Sequence, residues 1–347
     1  MITCFQDTTK QSFMVSGIVS TMMSATLPHV IRPDVPYRPG PLDPRDPRAL
    51  HALKAAWEGA DWAAARTVVL GAPFDAAVPG RKGAREGPRG VREALRFCTS
   101  FHAGRGVDLM DARVVDAGDV DMVNTEPGIG ESHRRLAAAV QAVAGRGARP
   151  VVVGGDNSMS FASVQGCGQG LTERQGRAPR MGLIIADAHH DVREPPPVSS
   201  GTPYYRVLRE LPWVQPENCI QVGIRPFHNS RHHTERAAKL GITWHTMADV
   251  RSRGIGAVAE AAVEQAADGT DVVFLSVDMD AVDQSHAPGV SAPSPSGLLP
   301  EELFHLVEEA SSLRAFAGAD IVETAPPLDP RGNTARVAAH VLLRCCL

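Results

Sequence analysis

Apolar and polar residues follow a regular pattern from about residue 66 onward. Short runs rich in valine and isoleucine alternate with longer segments in which apolar residues recur at helical spacing. The eight apolar runs cover residues 67–73, 112–121, 150–156, 182–191, 219–224, 242–245, 272–280 and 320–326. Nearly continuous apolar runs are typical of strands buried on both faces, and their alternation with helices indicates a parallel sheet. The pattern therefore predicts an α/β fold with helices on both sides of the sheet.

We expect a single domain over residues 46–347, because no linker-like stretch interrupts the alternation. Before it, residues 1–45 form an N-terminal extension that is predicted to be poorly ordered. Its proline-rich stretch over residues 30–48 favours extended chain. The weakly apolar stretch over residues 13–23 lacks the basic start of a secretion signal, so a tail is the preferred interpretation.

Composition narrows the class of protein. The 347 residues carry 35 basic and 39 acidic side chains, a formal net charge of -4, so no basic excess is available to bind nucleic acid. No run of eighteen apolar residues occurs, which excludes a membrane-spanning helix. The six cysteines are scattered and form no C-x-x-C pair, a usage that fits reduced thiols in the cytoplasm.

Acidic residues follow four of the predicted strands. They are Asp156, Asp187, Asp278 and Glu323. Because ligands of open α/β sheets bind at the carboxyl ends of the strands, we expect these side chains to meet there. In an extended chain Asp187, His189 and Asp191 would share one face, as would Asp278 and Asp280.

Such a cluster of carboxylates needs compensating cations. Four carboxylates and an imidazole in one crevice would repel one another unless metal ions hold them. Oxygen ligands with some nitrogen suit hard divalent ions such as Mn²⁺. The sequence therefore predicts two divalent metal ions, with Mn²⁺ preferred and Ni²⁺ as the alternative. The structural alternative for each motif is that its polar residues form a strand end and cap the next helix, without binding metal.

The motifs resemble those of the ureohydrolase superfamily of arginases, agmatinases and formimidoylglutamases. GGDNS at 154–158 is similar to the family's GGDHS, DAHHD at 187–191 matches DAHxD, and SVDMDAVDQSHAPG at 276–289 matches SxDxDxxDPxxAPG. The resemblance runs from about residue 66 to 344 and includes the closing VETAPPLDPRGNTARVAAHVL segment. It implies the three-layer arginase fold with a central eight-stranded parallel sheet, two Mn²⁺ ions and hydrolysis of a guanidino or amidine C–N bond.

The resemblance also implies a role for each matching residue. The metal ligands would be Asn157, Asp187, His189, Asp191, Asp278 and Asp280. In that arrangement Asp187 and Asp278 bridge the ions, and a hydroxide between the ions attacks the trigonal carbon. Glu323 would bind the planar cation of the substrate, Ser200 and Thr202 lie in the expected substrate loop, and Asp283 would support the site from behind.

Two departures from the family pattern bear on activity. Asn157 stands where GGDHS has its histidine ligand, and we expect its amide oxygen to bind the first metal more weakly. Ser200 stands where arginases and agmatinases have a histidine that carries a proton to the leaving amine. His190, His228 and His286 are candidates to replace it, with a structural role as the alternative for each.

These departures leave the substrate open between several classes. SGTPY at 200–204 resembles the SGTPF pattern of formimidoylglutamases, and APGVSAP at 287–293 is also similar to that branch. In contrast, GGDNS and the arrangement of the N-terminal half are more similar to agmatinases. We expect a hydrolase of a small guanidino, formimino or biguanide compound that forms a homo-oligomer, a trimer or hexamer. The alternative is a non-catalytic or regulatory subunit of a hetero-oligomer with an intact paralogue. A deacetylase of the same fold is disfavoured by Asp191 and Glu323.

Overall fold

All eight predicted strands are present and lie parallel in one sheet. The computed structural model describes residues 26–34 and 43–347. In the sheet the eight strands follow the order β6-β3-β7-β12-β11-β8-β9-β10. Their bounds are β3 Thr67–Gly71, β6 Val114–Val120, β7 Arg149–Val153, β8 Met181–Ala186, β9 Val214–Ile224, β10 Thr243–Thr246, β11 Val272–Asp278 and β12 Phe316–Val322. The prediction of an eight-stranded parallel sheet is therefore confirmed.

Two short strands extend this sheet at the β6 edge. Strand β1, Val30–Ile31, pairs antiparallel with β6, and β2, Lys54–Ala55, pairs with it in parallel. A separate antiparallel pair consists of β4, Phe101–His102, and β5, Val107–Asp108. Part of the predicted N-terminal extension thus contributes β1 to the sheet, while most of that segment lies outside the described residues. The domain boundary at residue 45 stays a prediction.

Helices cover both faces of the sheet. Their bounds are α1 Ala49–Ala52, α2 Gly87–Ala94, α3 Ile129–Gly145, α4 Met159–Gln175, α5 Pro203–Glu210, α6 Arg231–Lys239, α7 Met247–Arg253, α8 Ile255–Ala267, α9 Pro300–Ser311 and α10 Asn333–Cys345. Helices α3–α6 pack on one face, and α1, α2 and α7–α10 pack on the other. This arrangement is the predicted three-layer architecture.

The core is divided in two because side chains alternate along each strand. In β8, Ile184 packs into one cluster and Ile185 into the other, and Val151 and Val152 of β7 divide in the same way. Every residue of β8 is buried. A central strand of this kind needs apolar residues on both faces, which explains the continuous Val/Ile runs of the sequence.

Helix α4 has a sequence that does not favour a helix by itself. It carries Gly166, Gly168 and Gly170, residues that weaken an isolated helix, and it is buried nearly all round. A Cβ atom at Gly166 would lie 2.3 Å from the carbonyl oxygen of Ala137 in α3. Gly166 and Gly170 therefore let α3 and α4 pack backbone to backbone, a requirement that local sequence does not display.

None of the helices within residues 26–34 and 43–347 is long and apolar enough to cross a membrane. The described cysteines are all free, and Cys345 and Cys346 are buried at the end of α10. Cys4 lies outside the described residues.

Replacing Gly166 by alanine should destabilise the protein even though alanine favours helices by about 1 kcal/mol. The overlap with α3 should outweigh that gain and lower the free energy of unfolding by about 1–3 kcal/mol. Gly130→Ala is the matched control, because Gly130 is also helical but has no atom within 4 Å of the added Cβ. Urea denaturation of both variants measures the difference, and equal stability of the two would contradict the close-packing argument.

Candidate metal centre

The acidic residues after the strands gather at one edge of the sheet. Strands β7, β12, β11 and β8 are consecutive neighbours, so their carboxyl ends meet. Asp187, Asp278 and Glu323 are brought together there, as predicted. Asp156 faces away from the cavity: its buried carboxylate accepts hydrogen bonds from the backbone N–H groups of Ala77 and Ser158, both at 3.0 Å. Asp156 thus holds the loops that frame the site.

The first metal-binding motif lies in a turn. Strand β8 ends at Ala186, and the Oδ1 atom of Asp187 accepts the N–H of His189 at 2.6 Å. The chain then reaches Asp191, whose φ of 45° is left-handed. The expectation that an extended segment aligns these three side chains is wrong. A local side-chain-to-backbone turn brings them together instead.

The second motif has the same local geometry. Asp278 is the last residue of β11, and its Oδ1 atom accepts the N–H of Asp280 at 2.8 Å. The buried guanidinium of Arg225 fixes the turn by donating to the backbone carbonyls of Asp280 at 2.6 Å, Ala281 at 2.5 Å and Val282 at 3.0 Å. The sequence around Arg225 does not reveal this role, because it depends on residues more than fifty positions away.

Two overlapping groups of ligand atoms result. Asp187, Asp191 and Asp278 form one group, and Asp187, His189 and Asp280 form the other. Within each group the ligand atoms lie within 4.8 Å of one another, and Asp187 belongs to both. Mostly carboxylate groups with one imidazole fit two hard divalent ions that share a bridging ligand. The bridging role of Asp278 stays a prediction, since Asp278 belongs to one group.

Burial and mutual repulsion shift the pKa values of these residues. Burial, with the nearby carboxylates of Asp191 and Asp280, raises the pKa of Asp187 well above its usual range. Burial also raises the pKa of Asp191 to about 6. Burial by itself lowers the pKa of His189, but the carboxylates of Asp280 and Asp187 outweigh it and raise that pKa to about 12. The cluster therefore holds more negative charge than it can stabilise alone, which is the state that bound cations would relieve.

Asn157 lies beside the first ligand group. Its amide nitrogen is 2.8 Å from Asp191 Oδ2 and 3.3 Å from Asp187 Oδ2, while its oxygen accepts the hydroxyl of Ser160 at 2.8 Å. The side chain thus occupies the place of the missing histidine with its nitrogen toward the carboxylates. Its predicted role as an oxygen ligand stays a prediction.

The two ligand groups open into a cavity of about 180 Å³. Glu323, at a left-handed φ of 64°, lines the cavity, and its Oε1 atom accepts the N–H of Asn157 at 2.9 Å. The Oε2 atom has no hydrogen-bond partner among the described residues. Burial, and then the charge of Asp156, raise the pKa of Glu323 to about 8. This carboxyl group therefore has one buried acceptor oxygen without a partner in the described structure.

The cavity lining also includes a positive charge. Arg193 lines the cavity together with Ser200 and Gly201. The Arg193 side chain lies across Gly201, where an added Cβ would come within 2.8 Å of the arginine Cδ. The backbone N–H of Arg193 donates to the backbone carbonyl of Gly201 at 2.8 Å. Sequence reasoning missed Arg193, although its position two residues after Asp191 was a signal for it.

The predicted proton-carrying histidines do not line this cavity. The His190 ring is buried against Trp244 and contacts Gln221 through Nδ1 at 2.6 Å. His286 is exposed and contacts Ser285. His228 comes nearer, with its ring centroid 5.9 Å from that of His189. The placement of His190 and His286 thus argues against their predicted catalytic role.

The predicted substrate loop divides into two parts. Ser200 lines the cavity, whereas the Thr202 hydroxyl donates within the loop to the carbonyl of Ser199 at 2.7 Å. Asp283 holds the following loop by accepting the N–H groups of Ser285 and Gly297. Ser200 therefore faces the cavity, and Thr202 and Asp283 shape the loops around the cavity.

Larger depressions lie elsewhere on the surface. One of about 550 Å³ borders α2, and one of about 700 Å³ lies between α3 and α5. The lining of both lacks the predicted metal ligands within the part of the chain that the structure describes. Chemistry rather than size therefore identifies the candidate site.

Known proteins have similar sequences and the same fold. A sequence profile of the arginase family matches residues 65–347. The chain is 35% identical over 303 residues to formimidoylglutamase of Bacillus subtilis, covering 86% of this chain and 91% of the relative. The crystal structure of formimidoylglutamase from that organism superposes with a TM-score of 0.79 at 31% identity, covering 90% and 94% of the two chains. Formiminoglutamase of Trypanosoma cruzi with Mn²⁺ gives a TM-score of 0.76 at 27% identity, covering 87% and 98%.

Adding Mn²⁺ to metal-depleted protein should raise its stability, because bound ions neutralise the repelling carboxylates. At free Mn²⁺ one hundred times the dissociation constant, the expected gain is about 2.7 kcal/mol per site. Thermal unfolding with EDTA or with MnCl₂ measures it. Asp278→Asn should reduce the gain, whereas Asp271→Asn, which alters a surface ion pair with Arg177, should keep it. An equal gain in both variants would remove Asp278 from the site.

The stability of the metal-depleted protein should depend on pH through Asp320, which lies buried below the site. Burial raises the pKa of Asp320 to about 7, so this group lowers stability as the pH rises from about 4 toward 7. Between pH 5 and pH 8 the free energy of unfolding should fall in both proteins. The fall should be about 2–3 kcal/mol smaller in Asp320→Asn than in the parent protein. Urea unfolding in EDTA tests this, and parallel pH profiles would contradict it.

Proposed function

The chain belongs to the arginase family and is a hydrolase of carbon–nitrogen bonds, and we propose that its substrate is a small linear amidine with an acidic tail. The proposed reaction is of the formimidoylglutamase type, in which water replaces the nitrogen substituent at the amidine carbon. The single observation that carries this proposal is that Glu323 and Arg193 line the same cavity as the metal-ligand groups.

We propose that two divalent ions, Mn²⁺ before Ni²⁺, bind the two ligand groups. Asp187, Asp191 and Asp278 would hold one ion, and Asp187, His189 and Asp280 would hold the other. When bound, a pair of such ions lowers the pKa of water and polarises the carbon under attack. The protein residues keep these ligands in place through the two side-chain turns and through Arg225.

Glu323 is placed to bind the cationic end of the substrate. Its Oε2 atom is buried and unpaired among the described residues, so an N–H of an amidinium can donate to it without displacing a protein partner. Its Oε1 atom is fixed by the N–H of Asn157. A positive ligand would favour the ionised form of this carboxyl group, whose pKa burial raises to about 8.

Arg193 supports an acidic rather than a basic tail. A guanidinium binds a carboxylate through paired hydrogen bonds and repels an ammonium group. Within the described residues, Arg193 is the basic side chain of the arginine or lysine type in the cavity lining. Its charge favours a formimino or guanidino acid over a diamine-like substrate such as agmatine.

The non-catalytic alternative would leave the chain dependent on a paralogue. The two ligand groups and Glu323 support catalysis by the chain itself, whereas the alternative rests on Asn157 and Ser200, which stand in place of two family histidines. We further propose that the protein is cytoplasmic and forms an oligomer. Exposed apolar side chains around β4 and β5 support the oligomer. They are Phe97, Phe101, Val107 and Met110.

A substrate panel with Mn²⁺-loaded protein tests the proposed function. N-formimino-L-glutamate, guanidino acids, arginine and agmatine are compared by release of formamide, ammonia or urea. We expect the highest kcat/KM for the acidic formimino compound. Faster hydrolysis of agmatine would contradict the proposal, and a chain that is silent alone but active with a paralogue would favour the alternative.

Arg193→Met should raise KM for the acidic substrate about 10- to 100-fold, because one charge-assisted pair contributes about 1.5–3 kcal/mol. Arg209→Met is the matched control, since Arg209 is exposed on α5 beside the ring of Tyr205, outside the cavity lining. An unchanged KM in Arg193→Met would remove Arg193 from substrate binding.

A further inference from the structure

A fully buried polar network lies directly beneath Asn157. Its members are Tyr204 from α5, Ser160 from α4, Ser276 from β11 and Asp320 from β12, each at most 1% exposed. Burying this many polar groups is costly unless each finds a partner. The network therefore indicates a specific task rather than general packing.

The hydrogen bonds of the network point at the amide of Asn157. Ser276 donates to Asp320 Oδ1 at 2.6 Å, and the Tyr204 oxygen lies 3.1 Å from Ser276 Oγ and 3.4 Å from Asn157 Oδ1. Ser160 donates to the same Asn157 oxygen at 2.8 Å. Two hydroxyl groups thus surround the amide oxygen and leave the amide nitrogen directed at Asp191 and Asp187.

The reverse orientation of the amide would lose these contacts. It would set the oxygen against two carboxylates and turn the –NH₂ group toward the hydroxyls of Ser160 and Tyr204. The carboxylates disfavour the reverse orientation, and the hydroxyl donors to the amide oxygen further stabilise the orientation in which Asn157 holds Asp191 by an N–H bond of 2.8 Å. Asp191 itself has a left-handed backbone conformation.

Tyr204 is tied to the same residue through its backbone. The N–H of Tyr204, near the start of α5, donates to the carbonyl of Asp191 at 3.2 Å. Tyr204 also stands where the SGTPF pattern has a phenylalanine. The hydroxyl is thus an addition to that pattern in a chain that also has asparagine in place of the histidine ligand.

We propose that Tyr204 is a positioning residue for the metal centre: its hydroxyl, with that of Ser160, orients the Asn157 amide so that its N–H groups hold Asp191 and Asp187 as metal ligands. The inference rests on the proposed dinuclear site. It assigns Asn157 the task of orienting two carboxylates, and it makes the affinity of the Asp187, Asp191 and Asp278 group depend on a hydroxyl that touches no ligand atom of that group.

The experiment is a Mn²⁺ titration of metal-depleted protein without substrate, by calorimetry and by the electron paramagnetic resonance signal of free Mn²⁺. Tyr204→Phe should weaken one of the two Mn²⁺ equivalents about five- to tenfold, the loss expected for one neutral hydrogen bond, and leave the other unchanged. Tyr205→Phe is the matched control, because the Tyr205 hydroxyl binds Glu194 at the surface at 2.9 Å. Both variants should unfold with the parent's cooperativity in EDTA.

A second variant isolates the route through Asn157. Asn157→His supplies an imidazole whose binding to the metal does not depend on the orientation of an amide, so Tyr204→Phe should have no effect on Mn²⁺ affinity in that background. An unchanged or tighter affinity in Tyr204→Phe alone overturns the proposal, as does an undiminished effect in the double variant. Failure of the parent protein to bind Mn²⁺ would instead contradict the dinuclear site and the proposed function.

Discussion

Repulsion among buried carboxylates is the constraint on which the rest of this structure depends. Asp187, Asp278 and Asp280 are nearly inaccessible to solvent, and Asp191 lies beside them. His189 and backbone N–H groups stabilise part of this negative charge. The raised pKa values of Asp187 and Asp278 indicate that the rest is not compensated by the protein. Bound divalent cations would compensate it.

Backbone geometry makes this concentration of charge attainable. In both motifs an aspartate at the end of a strand binds the N–H of the residue two positions on, which turns the second ligand toward the first. Asp191 and Glu323 adopt left-handed conformations that non-glycine residues rarely tolerate. Strain of this kind persists where the surroundings enforce it. Here the carbonyl of Asp191 accepts the N–H of Tyr204 at 3.2 Å, and the N–H of Glu323 donates to the carbonyl of Gly155 at 2.8 Å.

The cavity lining carries charges of both signs. Carboxylates and the predicted metal ions lie at the sheet edge, and Arg193 lies on the wall formed by the Ser200–Gly201 loop. An amidine with an acidic tail matches this polarity, whereas a molecule with two cationic ends matches only half of it. Ser200, which stands where arginases and agmatinases have a histidine, lines the same cavity.

The sequence by itself determined the layered α/β architecture, the eight parallel strands and the convergence of Asp187, Asp278 and Glu323. These features follow from local patterns, namely continuous apolar runs and acidic residues directly after them, together with the rule that parallel strands share an edge. Only the tertiary structure decided that a turn positions Asp191, that His190 and His286 lie outside the cavity, and that Asp156 faces the framing loops. It also decided the packing of α4 and the orientation of Asn157. Each of these depends on contacts between residues far apart in the chain, such as Gly166 with Ala137 or Tyr204 with Asn157, and such contacts have no periodic trace in the sequence.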